Sequence, residues 1–301
     1  VRLLLATDHY PPFIGGAHRQ TERLARDMAA RGHEVSVVTP WHGGLPLREE
    51  SHGVVVHRVR QLRTAVPALV RDRSQRHQPP FPDPVTIRAL RRVLRETKPE
   101  LVHVNGWLAY SLTVAMTGLR IPLLVSAREY TYFCATRTML HEGRPCSGPS
   151  PRKCLSCANE YHGKAKGIVT LAGVSACKPL LVRRMTALHS VSTYVHDVTL
   201  EHLWGRTTER SGRRLLQTTI PSFLDRDETP DPTLLAEVLG RLPQEPFILF
   251  VGAFRKAKGL DTLFAAYRTL ESPPPLVLIG CYKRDAPKNF PPQAVVLDEL
   301  P

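Results

Sequence analysis

Long hydrophobic runs, lysine and methionine are all scarce in this 301-residue chain. No apolar run approaches the roughly 18–20 residues that cross a bilayer. The nearest, Gly167 to Val182, is interrupted by Lys178, so a spanning segment is not expected. Only 9 of the 41 basic residues are lysine, which leaves 32 arginines. Arginine dominance of that kind commonly follows genome base composition, and it weakens a reading of the +14 net charge as a nucleic-acid footprint. No nucleic-acid module or aromatic-interleaved basic motif accompanies the charge, so nucleic acid is not expected as a partner. A basic n-region with an apolar h-region is also missing ahead of the first strand-like run, which makes the cytoplasm the expected compartment.

What the chain does contain is enough apolar surface for a core, with 42% hydrophobic and 23% charged residues. Disorder is excluded as the dominant state. The length exceeds what one core usually serves, so two domains are expected.

Apolar runs at Leu3–Ala6, Val35–Thr39, Val54–Val59, Leu101–Val104 and Leu123–Ser126 show little polar alternation. Helix-period segments separate several of them. Ala17, Thr21, Leu24, Ala25 and Met28 share one helical face, with Gly32 as a stop. Ile87, Leu90, Val93 and Leu94 share another, opposite Arg88, Arg91, Arg92 and Arg95. Buried strands alternating with helices predict an α/β, Rossmann-like domain over residues 1–220, its parallel sheet covered on both faces. A proline-rich, acidic stretch over 221–245 reads as a linker. From 246 to 301 a second α/β unit begins, with strands at Phe247–Val251, Leu276–Ile279 and Val295–Leu297 and a helix at Gly259–Leu270. Three strands make a poor independent parallel domain, so this unit is expected to be incomplete here and to continue beyond Pro301.

Two loops at strand ends could carry chemistry. Asp8-His9-Tyr10-Pro11-Pro12-Phe13-Ile14-Gly15-Gly16 joins the first strand to the first helix. Paired glycines there let backbone N–H groups approach an anion or a sugar substituent. A plain tight turn into a helix is the other reading. The loop is not a Gly-x-Gly-x-x-Gly fingerprint, so a dinucleotide is not indicated. Val251-Gly252-Ala253-Phe254-Arg255-Lys256-Ala257-Lys258-Gly259 sets three cations at a strand's carboxyl end. Such a loop can clamp a diphosphate or simply be solvated.

Taken in order, these segments resemble the family-4 glycosyltransferases of the GT-B fold. His9 to Gly16 and Gly32-His33-Glu34-Val35 resemble the family's His-Tyr-Pro-Pro-x-x-Gly-Gly loop and Gly-His-Glu-Val step. Lys98-Pro99-Glu100-Leu101-Val102-His103, Ile220-Pro221-Ser222-Phe223-Leu224-Asp225 and Val251 to Gly259 are similar to three later family motifs. The resemblance implies a retaining enzyme that moves a sugar from a nucleotide-diphosphate donor to a hydroxyl acceptor. That acceptor is a glycan, a lipid-linked molecule or a small molecule. It also implies that Gly15 and Gly16 shape the interdomain cleft, and that Lys258 contacts the donor diphosphate with Arg255 beside it. Asn105 and Glu129, with Arg128, would orient substrates at strand ends. No metal is required for that chemistry, because cationic side chains steady the leaving diphosphate.

There are departures from the family pattern. The family's His-x-His is His103-Val104-Asn105 here, and Asn105 cannot act as a general base. An arginine frequent in the family is Ala253. The family's Glu-x7-Glu donor segment has no counterpart, so a non-catalytic, glycosyltransferase-like binding protein is the alternative.

Four of the six cysteines cluster as Cys134-x11-Cys146-x7-Cys154-x2-Cys157, in a stretch expected to be a loop. Structural zinc, free or redox-active thiols, and disulfides are the three readings. Arg128-Glu129-Tyr130-Thr131-Tyr132-Phe133-Cys134 resembles a subset of the same glycosyltransferases that carries further cysteines. Finally, the Arg88–Arg95 helix and the His57–His77 stretch present a basic surface. It is either solvated or in peripheral contact with an anionic membrane at its inner face.

Overall fold

The computed structural model describes residues 1–13, 15–65, 78–205, 209–210, 212–223, 231–255, 258–282 and 286–297. The chain divides into two units, Val1–Leu224 and Asp225–Pro301. Residues 66–77 of the basic stretch, Ile14 of the glycine loop, Lys256 and part of the expected linker lie outside the described residues.

The first unit is built on strands β1 (Arg2–Thr7), β2 (Glu34–Pro40), β3 (Arg48–Ser51), β4 (Val54–Val59), β5 (Leu101–Asn105) and β6 (Leu123–Ala127). After a short β7–β8 hairpin (Leu140–His141, Arg144–Pro145) comes β9 (Ala187–Ser190). A β10–β11 ribbon (Glu209–Arg210, Arg213–Arg214) then precedes β12 (Leu216–Thr219). The main sheet runs β12-β9-β6-β5-β1-β2-β4-β3, and every neighbour is parallel except β3 on β4.

Alternation along each strand sends side chains to two faces. Leu5, Val35, Val37, Val54 and Val56 pack with Ala25, Leu24 and Met28 of helix α1 (Gly16–Ala30). Leu4, Ala6, Val38, Val102 and Val104 face the other way, into one core with four helices. Short α2 (Leu62–Ala65) leads to α3 (Pro84–Thr97), α4 (Leu108–Ala115), the α5 helix (Pro151–His162) and α6 (Lys164–Arg184). Asp83 caps α3 by accepting from the Val85 and Thr86 N–H groups at 2.9 and 3.0 Å, with Pro84 at the first helical position. A last helix, α7 (Thr193–Thr199), follows β9 and runs into a π-helical turn at Leu200–Trp204.

The second unit holds α8 (Pro232–Gly240), β13 (Ile248–Val251), α9 (Leu260–Tyr267), β14 (Leu276–Ile279) and β15 (Val295–Leu297). Its three strands form a parallel sheet in the order β13-β14-β15. Leu260, Phe264 and Tyr267 of α9 bury against Phe254, Leu276 and Leu278. Where the two loops after β13 and β14 meet, a Cβ on Gly280 would stand 1.9 Å from the Gly252 carbonyl oxygen, so only glycine fits.

Three expectations change. The stretch 134–157 is not a loop throughout: it folds as the β7–β8 hairpin and most of the first two turns of α5, which carry Cys154 and Cys157. Strands β3, β9 and β12 escape the hydrophobic pattern because they are short and at least half polar, β3 entirely so. And the segment around Gly167–Val182 is one 21-residue helix, α6, long and apolar enough by length and composition to cross a membrane. Its inner residues Thr170, Val174, Cys177 and Leu181 are nonetheless buried, the last three in the sheet core.

Candidate functional site

In an open parallel sheet, ligands gather outside the carboxyl ends where strand order reverses. Here the reversal lies between β1 and β5, whose last residues Thr7 and Asn105 are register partners. The chain turns from each strand end into a helix, and the turns are locked together by one carboxylate. Asp8 is buried and accepts from the Trp107 N–H at 2.9 Å and the Leu108 N–H at 2.8 Å, at the start of α4. Gly106, with φ of 96°, must be glycine, since a Cβ there would sit 2.4 Å from the Asp8 carboxyl carbon.

Behind this lock stand aromatic side chains. The Tyr132 hydroxyl accepts from the Gly106 N–H and donates to the Ser126 carbonyl, each at 3.1 Å. Trp107 donates its indole N–H to the Thr131 carbonyl at 2.8 Å. Arg137 lays its guanidinium 3.8 Å over the Trp107 ring and reaches the Glu129 carboxylate at 3.4 Å. Burial pushes the Asp8 and Glu129 carboxyls above the usual range, while Arg137 pulls both back down. Each acid thus holds its proton more firmly than in water.

The structure therefore brings Asn105 and Glu129 to one edge of the first sheet, together with Asp8 and Arg137. Sequence reasoning had not singled out those last two. Asp8 was legible as the residue just past a buried strand, but Arg137 sits in an irregular turn with no periodic signal. Gly15 and Gly16 start α1 at this same carboxyl edge. No side chain caps that helix start, and a Cβ on Gly16 would meet nothing within 4 Å. Glycine at this point is not demanded by the packing around it.

Arg128 goes elsewhere. With His103 and His189 it lines a largely apolar cavity of about 240 Å³, walled by Leu5, Leu24 and Phe223 among others. His103 is on β5, as expected for a structural residue, and burial beside His189 and Arg128 lowers its pKa to about 3. His189 is held by Ser126 at 2.6 Å and the Ile220 carbonyl at 2.9 Å.

In the second unit, Arg255 and Lys258 lie on one turn after β13, the Lys258 N–H donating to the Arg255 carbonyl at 3.0 Å. Lys258 is exposed and Arg255 half-buried. Phe254 anchors the turn from beneath, fully buried against Tyr282 and Phe290.

The four clustered cysteines are free and half-buried. Cys157 lies 3.1 Å from His141 Nδ1, Cys154 Sγ accepts from the Ser150 N–H at 3.2 Å, and Cys134 Sγ meets the Thr136 hydroxyl at 3.3 Å. Burial first, and then the nearby Cys146, Cys154 and Cys134, push the Cys157 thiol pKa up. Among the described residues, no three His, Cys, Asp or Glu side chains are placed to hold a metal ion.

A doubly wound parallel sheet of this kind, followed by a second parallel unit, defines the GT-B class of fold. Residues 15–202 match the glycosyl transferase 4-like domain family, and the chain belongs to it. No curated protein sequence matches. Among solved structures, the fold is similar to sucrose-phosphate synthase from Thermosynechococcus elongatus (18% identity, TM-score 0.57) over 93% of this chain and 62% of that one. It is also similar to Anabaena HepE (Alr3699), solved with UDP, at 14% identity and TM-score 0.54, over 94% of this chain and 62% of that one. The chain thus spans under two thirds of the length of both, and at these identities the likeness is one of fold.

Proposed function

We propose that the protein is a retaining glycosyltransferase, moving a sugar from a nucleotide-diphosphate donor to a hydroxyl acceptor (a glycan, a lipid-linked molecule or a small molecule). The observation that carries this reading is the family match over residues 15–202. The UDP bound to HepE supports a uridine diphosphate donor as the first to try. Gly15 and Gly16 would admit a polar ligand close to the backbone at the head of α1. Asn105 would orient the substrate by hydrogen bonds, and Glu129, its proton affinity raised, would exchange a proton with the acceptor hydroxyl. Lys258, with Arg255 beside it, would neutralise charge growing on the departing diphosphate.

The test is a transfer and donor-hydrolysis screen across nucleotide sugars with the whole chain. Lys258→Ala is expected to lower kcat/KM by about 10- to 100-fold, the worth of one charge-assisted contact to a phosphate. Arg255→Ala is expected to weaken donor binding by a smaller factor. No turnover and no nucleotide-diphosphate binding would overturn the proposal.

Structural zinc at Cys134, Cys146, Cys154 and Cys157 is proposed on their spacing in the sequence alone; as the side chains lie, no three of them are placed to hold a metal ion, and binding would have to draw them together. It would take no part in sugar transfer. One zinc per chain on metal analysis is the expected result, lost together with thermal stability in Cys154→Ser/Cys157→Ser. Metal-free protein with four titratable thiols at these positions would rule it out.

A further inference from the structure

Helix α6 breaks a rule that α3 keeps. In α3 the apolar Leu90, Val93 and Leu94 are buried and Arg88, Arg91, Arg92 and Arg95 are exposed. In α6 the inward face runs Gly167, Thr170, Val174, Cys177 and Leu181, but the outward face is apolar as well. Gly167 lies so close to α5 that a Cβ would stand 2.6 Å from the Ala158 backbone, and a Cβ on Gly173 would stand 2.7 Å from the Pro80 carbonyl oxygen. Outside, Ile168 is 52% exposed, Val169 53% and Leu180 39%, with exposed Ala172 and Ala176 filling the turns between them. At 1.5 Å per residue, the stripe from Ile168 to Leu180 runs about 18 Å. Tyr161, near the end of α5, is 52% exposed as well.

A helix apolar on its outer side needs a non-aqueous neighbour. The charge around the stripe says which kind. Among the 21 residues of α6 there is no Asp or Glu, and exposed Lys164 and Lys166 stand at one end with Arg183 at the other. The exposed arginines of α3 belong to a helix packed on the same face of the sheet. A second copy of this chain would have to set these cationic ends against one another across a two-fold axis, where they repel. An anionic lipid surface complements them. The buried inner face ties α6 to the sheet core, so the helix can lie on a bilayer but cannot cross it without dismantling the unit.

We propose that the outer face of α6 beds the protein into the headgroup boundary of an anionic membrane, with Ile168, Val169 and Leu180 in the acyl layer. The inference stands whether or not the chain transfers sugar. It is tested with the whole chain by co-sedimentation with phosphatidylglycerol vesicles and with phosphatidylcholine vesicles, at low and high salt. Binding to the anionic vesicles, weakened by salt, is expected. Ile168→Glu/Val169→Glu should reduce it about tenfold or more. Ala172→Trp, which adds an interfacial aromatic at an exposed site, should strengthen it several-fold, with no pelleting in vesicle-free controls and an unchanged thermal midpoint. No binding to either vesicle, or binding that neither variant changes, would overturn the proposal. So would a wild-type dimer that Ile168→Glu/Val169→Glu converts to monomer without any effect on vesicles.

Discussion

Gly106→Ala is expected to cost about 4 kcal/mol, combining left-handed backbone strain with a clash against a buried carboxylate. The added Cβ would fall 2.4 Å from the Asp8 carboxyl carbon, which cannot retreat without releasing the Trp107 and Leu108 N–H groups. For a unit of this size the thermal midpoint should drop by roughly 10 °C. Asp8→Ala alone should cost about 2–3 kcal/mol, since two buried N–H donors lose their acceptor. The two effects are not independent. In Asp8→Ala/Gly106→Ala the new methyl group enters space the carboxylate has left, so the double variant should be more stable than the sum of the singles by about 1–2 kcal/mol. Denaturant melts of the four proteins decide the matter, and strict additivity would mean that the carboxylate is not what excludes a side chain at 106.

His103 sets the second expectation, an acid limb to the stability profile. Its folded pKa is about 3, against 6.5 in the unfolded chain, because the ring is neutral among apolar groups and beside Arg128. Above pH 6.5 neither state binds the proton, and this contribution is fully present. As pH falls from 6.5 towards 3, the unfolded chain takes up a proton that the fold refuses. Stability should fall by up to about 1.4 kcal/mol per pH unit, or about 2 kcal/mol by pH 5. The His189 pKa is lowered as well, burial being the larger cause, and it adds a loss of the same sign. His103→Leu should flatten the profile between pH 7.5 and 5, read from urea midpoints. A variant as acid-sensitive as the wild type would show that another group is responsible.

Much of the first sheet could be read from the chain because parallel strands buried on both faces carry near-continuous apolar runs. Leu3–Ala6, Val35–Thr39 and Leu101–Val104 are of that kind. Leu216–Thr219 is not: as an edge strand it needs one good neighbour, and its Gln and Thr residues hide it among loops. Asn105 and Glu129 could be placed near the carboxyl edge because they adjoin recognisable strand ends, and Gly15 and Gly16 because they open the first helix. Arg137 could not, because a cation stacked on an indole 30 residues earlier leaves no spacing to count. Helix α6 misled in a different way. Its apolar run is interrupted by a lysine, but Lys178 reaches the His202 carbonyl, so the run continues past it on the helix surface.

Strand β1 has a further consequence, for the time course of assembly. It lies in the middle of the sheet, flanked by residues 34–40 on one side and 101–105 on the other. The carboxylate just past its end ties to N–H groups about 100 positions downstream. A chain emerging from the ribosome can pair one flank of β1 early, yet its other flank stays open until more than a hundred residues have been made. Its nascent form therefore carries an unpaired apolar strand flank for most of that interval, the kind of surface on which misassembly begins.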